Sequence, residues 1–394
     1  PMSDADKKHD SRPGKEEAVP TASLRDRAAA PGGQVGKYKI LSVLGEGGYG
    51  IVHLAEQQGW VKRRVALKVI KPGMDTKQVI ARFEAERQAL ALLDHPNIAQ
   101  VYDAGTTEAG RPYFVMEYVE GLPITKYCDQ NKLCVKDRLH LFIQICQAIH
   151  HAHQKGFIHR DIKPSNILVT EQDGQPVPKV IDFGVARAIR SDLGESTLLT
   201  EEGQLVGTPE YMSPEQADPA SVDIDTRSDI YSLGVLLYVL LTGALPFDPG
   251  KLRQAAIDEM LRTIRDEEPP RPSTRLSSLG DEAENAAKNR RTAVRTLTKR
   301  LHHELEWIPL KAMRKEPDRR YRTATEFADD IRHYLRGDAL IAGPEFMAYQ
   351  LKKLIGRHRY VSAVIGLLFI IILSFSYTSF DLYLTARMAK ENSD

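Results

Sequence analysis

The chain has 394 residues, enough for one large domain or two domains of ordinary size. Its 54 lysines and arginines nearly balance its 53 aspartates and glutamates, so no overall positive field favours nucleic acid, and we expect no nucleic-acid partner. Cys128, Cys134 and Cys146 lack metal-binding spacing, which predicts small core residues in a reducing compartment.

The N-terminal segment, residues 1–36, consists mainly of charged residues, alanine, proline and glycine, with almost no large apolar residue. Such a composition cannot bury enough apolar surface to fold, so we predict that this segment is disordered. From residue 37 to residue 338, apolar runs alternate with turn signals, which indicates a folded region.

A glycine-rich motif opens the folded region. The sequence LGEGGYGIVHLAE at 44–56 spaces Gly45, Gly47 and Gly50 as G-x-G-x-x-G, which alone is weak because glycines are common in turns. A dinucleotide-binding fold would need a helix directly after the loop, whereas IVHLA predicts a strand. We therefore predict a glycine-tipped hairpin whose backbone N–H groups can face phosphates.

The next strand carries a lysine among apolar residues. Lys68 lies within RRVALKVIK at 63–71, where a charge is costly unless the ammonium meets an anion. The alternative is a lysine on an edge strand that extends its ammonium into water. Residues 77–93 predict a helix, on which Glu86 lies beside apolar residues and is the better partner for Lys68.

A charged loop, HRDIKPSN, occupies residues 159–166. It follows a helical pattern that ends at Gly156 and precedes the short apolar strand ILV. Pro164 lacks a backbone donor and the polar groups need partners, so these residues cannot form the middle of a core strand. The four residues HHAH before the loop, at 150–153, predict packing and no metal site, because no acid or cysteine completes the ligand set.

Together with VIDFGVA at 180–186, these motifs resemble, in this order, the eukaryotic-type protein kinases over about residues 38–338. HRDIKPSNILV, GTPEYMSPEQ and an apolar C-terminal segment are similar to those of bacterial membrane-anchored (Hanks-type) serine/threonine kinases. The resemblance implies an α+β, bilobal protein kinase fold over residues 37–338. A β-rich N-lobe would cover 37–118 and a mainly helical C-lobe 119–338, with ATP between them.

The resemblance also implies a catalytic site, in which phosphoryl transfer depends on positioning and charge neutralisation. Asp161 would orient the substrate hydroxyl and accept its proton, and Lys163 would reach the γ-phosphate. Asn166 and Asp182 would bind magnesium, with manganese as the alternative ion, since such ions prefer hard oxygen ligands. Thr208 would contact Asp161 and Lys163.

Nucleotide binding is implied for a second set of residues. Lys68 would hold the α- and β-phosphates and would itself be held by Glu86. The other nucleotide contacts would come from the glycine loop, the adenine pocket with its gatekeeper Met116, and the hinge: Leu44, Gly45, Glu46, Gly47, Gly48, Tyr49, Gly50, Val52, Ala66, Met116, Glu117, Val119 and Leu168.

Regulation is implied by Arg160, because an arginine before the catalytic aspartate is typical of kinases switched by activation-loop phosphorylation. Thr197 and Thr200 are the predicted phosphate acceptors; the alternative is a solvated loop without a regulatory role. Two structural contacts are also expected: an ion pair of Glu215 with Arg320, and hydrogen bonds from the loop backbone to Asp229. Residues 279–300 predict a basic insert that is a docking surface or, as we favour, a solvated face.

A membrane span is predicted at residues 360–380, which contain no charged residue and can cross a bilayer core of roughly 30 Å. The alternative, a buried core helix, would normally show a polar side. Residues 339–359 predict a basic amphipathic juxtamembrane segment, so the positive-inside rule places the kinase domain in the cytoplasm and residues 381–394 outside. We expect a single-pass protein of the cytoplasmic membrane.

The predicted function is transfer of the ATP γ-phosphate to serine and threonine residues of proteins. A membrane-tethered pseudokinase scaffold is the alternative, but it would commonly lack at least one of Lys68, Asp161, Asn166 and Asp182, and all four are present. A receptor that mainly senses ligand would need an outer domain. Confinement in the membrane would favour a homodimer that autophosphorylates in trans.

Overall fold

The computed structural model describes residues 32–47, 50–60, 62–71, 93–183, 208–218, 224–344, 349, 353 and 359–391. Several predictions fall on other parts of the chain. Outside the described residues lie the predicted disordered segment up to residue 31, the helix with Glu86, the loop residues Gly48 and Tyr49, the acceptors Thr197 and Thr200, and most of the predicted juxtamembrane helix.

The chain divides into two compact units. The first comprises Pro1–Arg87 and Val101–Tyr118, and the second comprises Gln88–Gln100 and Val119–Asp394. The first unit contains an antiparallel sheet of six strands in the spatial order β1-β2-β3-β4-β6-β5. These strands are β1 (Gln34–Val35), β2 (Tyr38–Glu46), β3 (Gly50–Gln57), β4 (Arg63–Ile70), β5 (Val101–Thr106) and β6 (Pro112–Glu117).

The two faces of this sheet differ in chemistry. Side chains alternate along a strand, so Val65, Leu67 and Val69 of β4 lie on one face, within a buried apolar cluster. Lys68 lies on the opposite face, between Val52 of β3 and Phe114 of β6. Because β4 pairs with strands on both sides, the edge-strand alternative for Lys68 is wrong.

The second unit begins with a small sheet and two helices. Its strands are β7 (Leu122–Pro123), β8 (Ile167–Gln172) and β9 (Gln175–Val180), paired in that order, and its first helices are α1 (Ile124–Gln130) and α2 (Val135–Gln154). The loop 159–166 runs from α2 to β8 and ends in a single 3₁₀ turn, Pro164–Asn166.

The core of the second unit is α3 (Thr226–Thr242), a helix that is buried along almost its whole length. Asp225 caps its N-terminus by accepting a hydrogen bond from the backbone of Arg227, and Gly243 ends it in the left-handed conformation at φ 85°. Around it lie α4 (Pro249–Gln254), α5 (Ile257–Asp266), α6 (Pro272–Ser277), α7 (Asp281–Lys288), α8 (Val294–Arg300), α9 (Trp307–Ala312) and α10 (Ala324–Arg336).

The segment predicted as a solvated polar insert is partly buried, so that prediction is wrong for one side of α7. Ala283, Ala286 and Ala287 recur at helical spacing and are buried. Arg290, only 2% exposed, donates hydrogen bonds to the carbonyls of Val239 and Leu240 at the end of α3. The Val239 carbonyl also accepts the backbone N–H of Gly243 at 2.8 Å, so the guanidinium adds donors at a helix end where carbonyls run out of partners in the next turn.

The last helix, α11 (Arg359–Glu391), contains the predicted span. Its stretch Leu367–Met388 is long and apolar enough to cross a membrane, and its large apolar side chains are exposed instead of packed against the rest of the protein.

The predicted ion pair between Glu215 and Arg320 is confirmed. Two nitrogens of the guanidinium lie 2.7 and 2.8 Å from the two carboxylate oxygens, and Arg320 is 3% exposed. Burial alone would raise the pKa of the Glu215 carboxyl, but hydrogen bonds from Arg320 and Ser228 hold it below its ordinary value. Arg320 also donates to the backbone oxygens of Arg314, Lys315 and Arg227, so one side chain joins three chain segments.

We predict that Arg320→Met lowers the free energy of unfolding by about 3–5 kcal/mol, because it leaves a buried carboxylate without its cation. Denaturant unfolding of the full chain in detergent micelles measures this change. The neighbouring exposed residue provides the control, since Arg319→Met should change stability by less than about 0.5 kcal/mol. Equal effects of the two substitutions would contradict the structural role of the ion pair.

Candidate active site

The loop 159–166 brings three of the predicted catalytic side chains into contact. The ammonium of Lys163 lies 2.8 Å from Oδ2 of Asp161 and donates to the hydroxyl of Thr208 at 3.1 Å. The amide of Asn166 donates to the backbone oxygen of Asp161 at 2.8 Å and to its Oδ2 at 3.0 Å. A cation and an amide therefore both hold one oxygen, Oδ2, of the Asp161 carboxylate.

A buried carboxylate below the loop fixes its backbone. Asp229, near the start of α3, is fully buried and accepts hydrogen bonds from the backbone N–H groups of His159 and Arg160, each at 2.8 Å. This confirms the contact that the sequence predicts. Arg160 has φ 66°, a conformation that is uncommon outside glycine, and the two hydrogen bonds hold it there.

A second contact of Asp229 was not predicted. Nε2 of His153, at the end of α2, lies 2.7 Å from Oδ2 of Asp229. Burial would raise the pKa of the Asp229 carboxyl, but the hydrogen bond and charge of His153 bring it below its ordinary value. The motif HHAH therefore contributes a hydrogen-bond partner for the buried carboxylate in addition to packing.

The segment after β9 is joined to the same loop. The backbone N–H of Ile181 donates to the carbonyl of Asn166 at 2.9 Å, and the ring of His159 lies 3.0 Å from the carbonyl of Ile181. The rings of His159 and Phe183 pack at 4.7 Å between centroids. Asp182 lies between Ile181 and Phe183, which both contact the loop. Its φ of 64° is a strained backbone conformation, which the contacts of these two neighbours hold in place.

The side-chain oxygens at this loop are ligands of the kind that a hard cation prefers. Because Nδ2 of Asn166 is engaged with Asp161, the remaining side-chain atom, Oδ1, is the one that can face a metal. Asp182 offers a carboxylate. Among the residues that the structure describes, no group of three or more histidine, cysteine, aspartate or glutamate side chains forms a metal site.

The predicted nucleotide residues of the first unit share one region of its sheet. Ala66 pairs with Met116 across β4 and β6, on the same face as Lys68 and Val52. The glycine loop closes with a hydrogen bond from Gly47 N–H to Gly50 O at 2.9 Å. A side chain at position 50 would place its Cβ 2.4 Å from the carbonyl oxygen of Val69, so only glycine lets these strands approach.

The other predicted nucleotide contacts are distributed over both units. Leu44 and Gly45 lie on β2, and Glu46 pairs with Lys71 at 2.7 Å. Glu117 ends β6 in the first unit. Val119 and Leu168 belong to the second unit, where Leu168 lies on β8.

The first unit combines an antiparallel sheet, a glycine-tipped hairpin and Lys68 on a central strand. The second unit is helical and carries the loop 159–166. These features together define the protein kinase class. The protein kinase domain family matches residues 38–323, and the chain belongs to that family. Among solved structures, the kinase domain of PknI from Mycobacterium tuberculosis has a TM-score of 0.53 at 26% identity, with 77% of this chain and 98% of that chain covered.

The chain is also similar to curated bacterial proteins. It is 35% identical to the serine/threonine-protein kinase PknB of Mycolicibacterium smegmatis, over 77% of this chain and 44% of that protein. It is 38% identical to the serine/threonine-protein kinase PrkC of Bacillus subtilis, over 77% of this chain and 41% of that protein. The chain thus matches less than half the length of these relatives. Membership of this family implies the use of ATP and a divalent metal.

We predict that Asp229→Asn loosens the loop at its base. Hydrogen bonds to a charged acceptor would be lost, so the amides of His159 and Arg160 should exchange with solvent about tenfold to a hundredfold faster. Hydrogen exchange of the full chain measures this rate. Because the pKa of Asp229 is lowered by folding, its stabilising contribution is fully present above about pH 4 and falls as the pH drops further.

The matched control is Asp225→Asn, which replaces another carboxylate at the start of α3. Asparagine still caps a helix, and Asp225 does not bond the loop in the described structure, so exchange at His159 and Arg160 should stay unchanged. An equally large rise of the exchange rate in this control, or an unchanged rate in Asp229→Asn, would show that Asp229 does not fix the loop.

Proposed function

We propose that this protein is a membrane-anchored serine/threonine kinase that transfers the γ-phosphate of ATP to protein hydroxyl groups. The observation that carries the proposal is the Asp161 carboxylate, oriented by Lys163 and Asn166 at 2.8 and 3.0 Å. Its relatives PknB and PrkC are named serine/threonine-protein kinases, and they support the same substrate class.

The geometry assigns a separate task to each side of Asp161. Lys163 and Asn166 both contact Oδ2, so Oδ1 is the oxygen that we assign to the substrate hydroxyl. From there it orients the hydroxyl towards the γ-phosphate and accepts its proton. Lys163, held by Thr208, presents its ammonium to the phosphate and compensates negative charge as the transfer proceeds.

We assign nucleotide and metal binding to residues with matching chemistry. Asn166 and Asp182 would hold magnesium, or manganese in its place, through oxygen atoms; the bound ion neutralises phosphate charge. Lys68, 8% exposed within β4, would bind the α- and β-phosphates, with Glu86 as its partner. The glycine loop, Leu44–Gly50 with Val52, would cover the phosphates and adenine, and Ala66, Met116, Glu117, Val119 and Leu168 would complete the adenine pocket.

The pseudokinase alternative is not favoured, because a scaffold has no need of this catalytic geometry. The arrangement also includes Asp229, which fixes the backbone below the loop.

We place the protein in the cytoplasmic membrane, with α11 as its single span and the kinase domain in the cytoplasm. The support is the apolar stretch Leu367–Met388 together with the lysines and arginines that precede it. In this setting Thr197 and Thr200 are the proposed sites of autophosphorylation, and Arg160 is the proposed partner of the phosphate.

The decisive test is phosphate transfer from labelled ATP with magnesium to a generic protein acceptor. We predict that the full chain in detergent phosphorylates serine and threonine residues, and that Asp161→Asn lowers the rate at least about a hundredfold, because the general base is lost. Asp173→Asn, in the exposed turn between β8 and β9, is the control and should keep full activity. Nucleotide binding without transfer by the wild-type chain would favour the scaffold.

Autophosphorylation in trans makes a separate prediction about surface density. Active chains are reconstituted in vesicles with Asp161→Asn chains as acceptors. At constant bulk protein, a tenfold lower protein-to-lipid ratio should reduce acceptor phosphorylation about tenfold, because encounters occur within the membrane plane. Acceptors that also carry Thr197→Ala and Thr200→Ala should remain unlabelled. A rate independent of surface density would contradict phosphorylation in trans.

A further inference from the structure

Two residues from the segment between the helical unit and α11 contact that unit. The ammonium of Lys353 lies 2.6 Å from Oε2 of Glu304, in a pair whose side chains are only 21% and 10% exposed. The ring of Tyr349 packs edge-on against Trp307 at 5.7 Å, and its hydroxyl accepts a hydrogen bond from the backbone N–H of Leu340 at 3.3 Å. The juxtamembrane segment is thus attached by an apolar contact and an ion pair.

The surface that Tyr349 contacts is fixed by hydrogen bonds within the helical unit. Asp330, fully buried in α10, accepts hydrogen bonds from the backbone of Ile341 at 2.7 Å and of Ala342 at 2.9 Å. These bonds fix the turn that leads to Gly343. A Cβ at Gly343 would lie 2.8 Å from the Tyr349 ring, so the turn fits the ring only because this residue is glycine. We call Leu340, Gly343, Trp307 and Glu304 the Tyr349 socket.

The charged half of the socket lies in an unusual turn. Glu304 belongs to a π-helical turn, Leu301–Leu305, that directly precedes α9. Such turns often occur at functional positions, because they displace a side chain from the regular helical surface. Here the turn sets a carboxylate beside the aromatic contact, where it pairs with a lysine only six residues before α11.

Lys353 also has a second possible partner, the anionic lipids of the membrane that α11 would enter. Lys352 and Arg357 accompany Lys353 shortly before α11, and Arg359 is the first residue of that helix. Each basic residue near an anionic bilayer strengthens binding about fivefold. One partly exposed ion pair contributes no more than about fivefold, and an edge-to-face ring pair about tenfold at most, so four basic residues on an anionic surface outweigh both contacts together.

We propose that an anionic lipid surface competes with the Tyr349 socket for two juxtamembrane residues, Tyr349 and Lys353. On a neutral bilayer Lys353 pairs with Glu304 and Tyr349 occupies the socket. On an anionic bilayer the basic residues bind lipid phosphates and Tyr349 leaves the socket, which changes the tether between the kinase domain and the membrane. This device depends on the proposed membrane anchoring but not on catalytic activity.

The test uses the full chain with Trp60→Phe, which leaves Trp307 as the only tryptophan. The protein is placed in nanodiscs of phosphatidylcholine alone or with phosphatidylglycerol. The anionic lipid should shift Trp307 emission to longer wavelength and raise the exchange rate of the Leu340 amide by roughly fivefold or more. Equal emission and exchange in both lipids would overturn the competition.

Substitutions separate the two contacts. Glu304→Lys should undock the segment in both lipids, and Gly343→Ala should do so by steric conflict with all charges retained. The variant that combines Glu304→Lys with Lys353→Glu restores an opposite-charge pair. It should dock again on phosphatidylcholine and respond less to phosphatidylglycerol, because residue 353 no longer attracts anionic lipid. A full lipid response in this variant would overturn the role of Lys353.

Failure of the anchoring is distinguishable from failure of the switch. A chain that does not co-elute with nanodiscs contradicts the membrane anchoring, and the lipid competition falls with it. A chain that co-elutes but shows unchanged Leu340 exchange contradicts only the competition. Phosphate transfer is not among the readouts, so neither result bears on the proposed kinase activity.

Discussion

The arrangement of the loop depends on one charge that is fully removed from water. Asp229 lies inside the helical unit, where an unpaired carboxylate would be prohibitively costly, and three donors satisfy it: His153 and the backbone N–H groups of His159 and Arg160. The cost of burial favours this geometry, because a loop that moved His159 or Arg160 away would leave the buried carboxylate with fewer donors. The position of Asp161 is therefore fixed through the loop backbone by a carboxylate in the core.

The sequence predicted those parts of the site whose residues are close together in the chain. Asp161, Lys163 and Asn166 lie within six positions, so a short loop must bring them near one another. The hairpin of β2 and β3 was also predictable, because glycines at its tip precede an alternating apolar pattern. The pair of Glu215 and Arg320, although separated by 105 positions, followed from the family resemblance and not from local pattern.

Contacts between distant segments with no shared motif could not be predicted. His153 reaches Asp229 across 76 positions, and Arg290 reaches Leu240 across 50. Nothing in the local sequence of a polar, basic stretch shows that one arginine will point inward, since its neighbours are solvated. The alanine spacing of α7 was the available signal for a buried side, and small residues make that signal weak.

The arginine at the far end of α3 has a consequence for folding. Arg290 bonds the last carbonyls of the central helix, while Arg138 of α2 bonds the backbone of Asn289 at 2.9 Å. The segment α6–α8 is therefore part of the core, because its removal would take away the donors that Arg290 supplies to Val239 and Leu240 at the end of α3. The segment α6–α8, α2 and α3 should unfold and refold locally as one cooperative unit. Amino-acid substitutions in this segment are therefore constrained by the core that it completes.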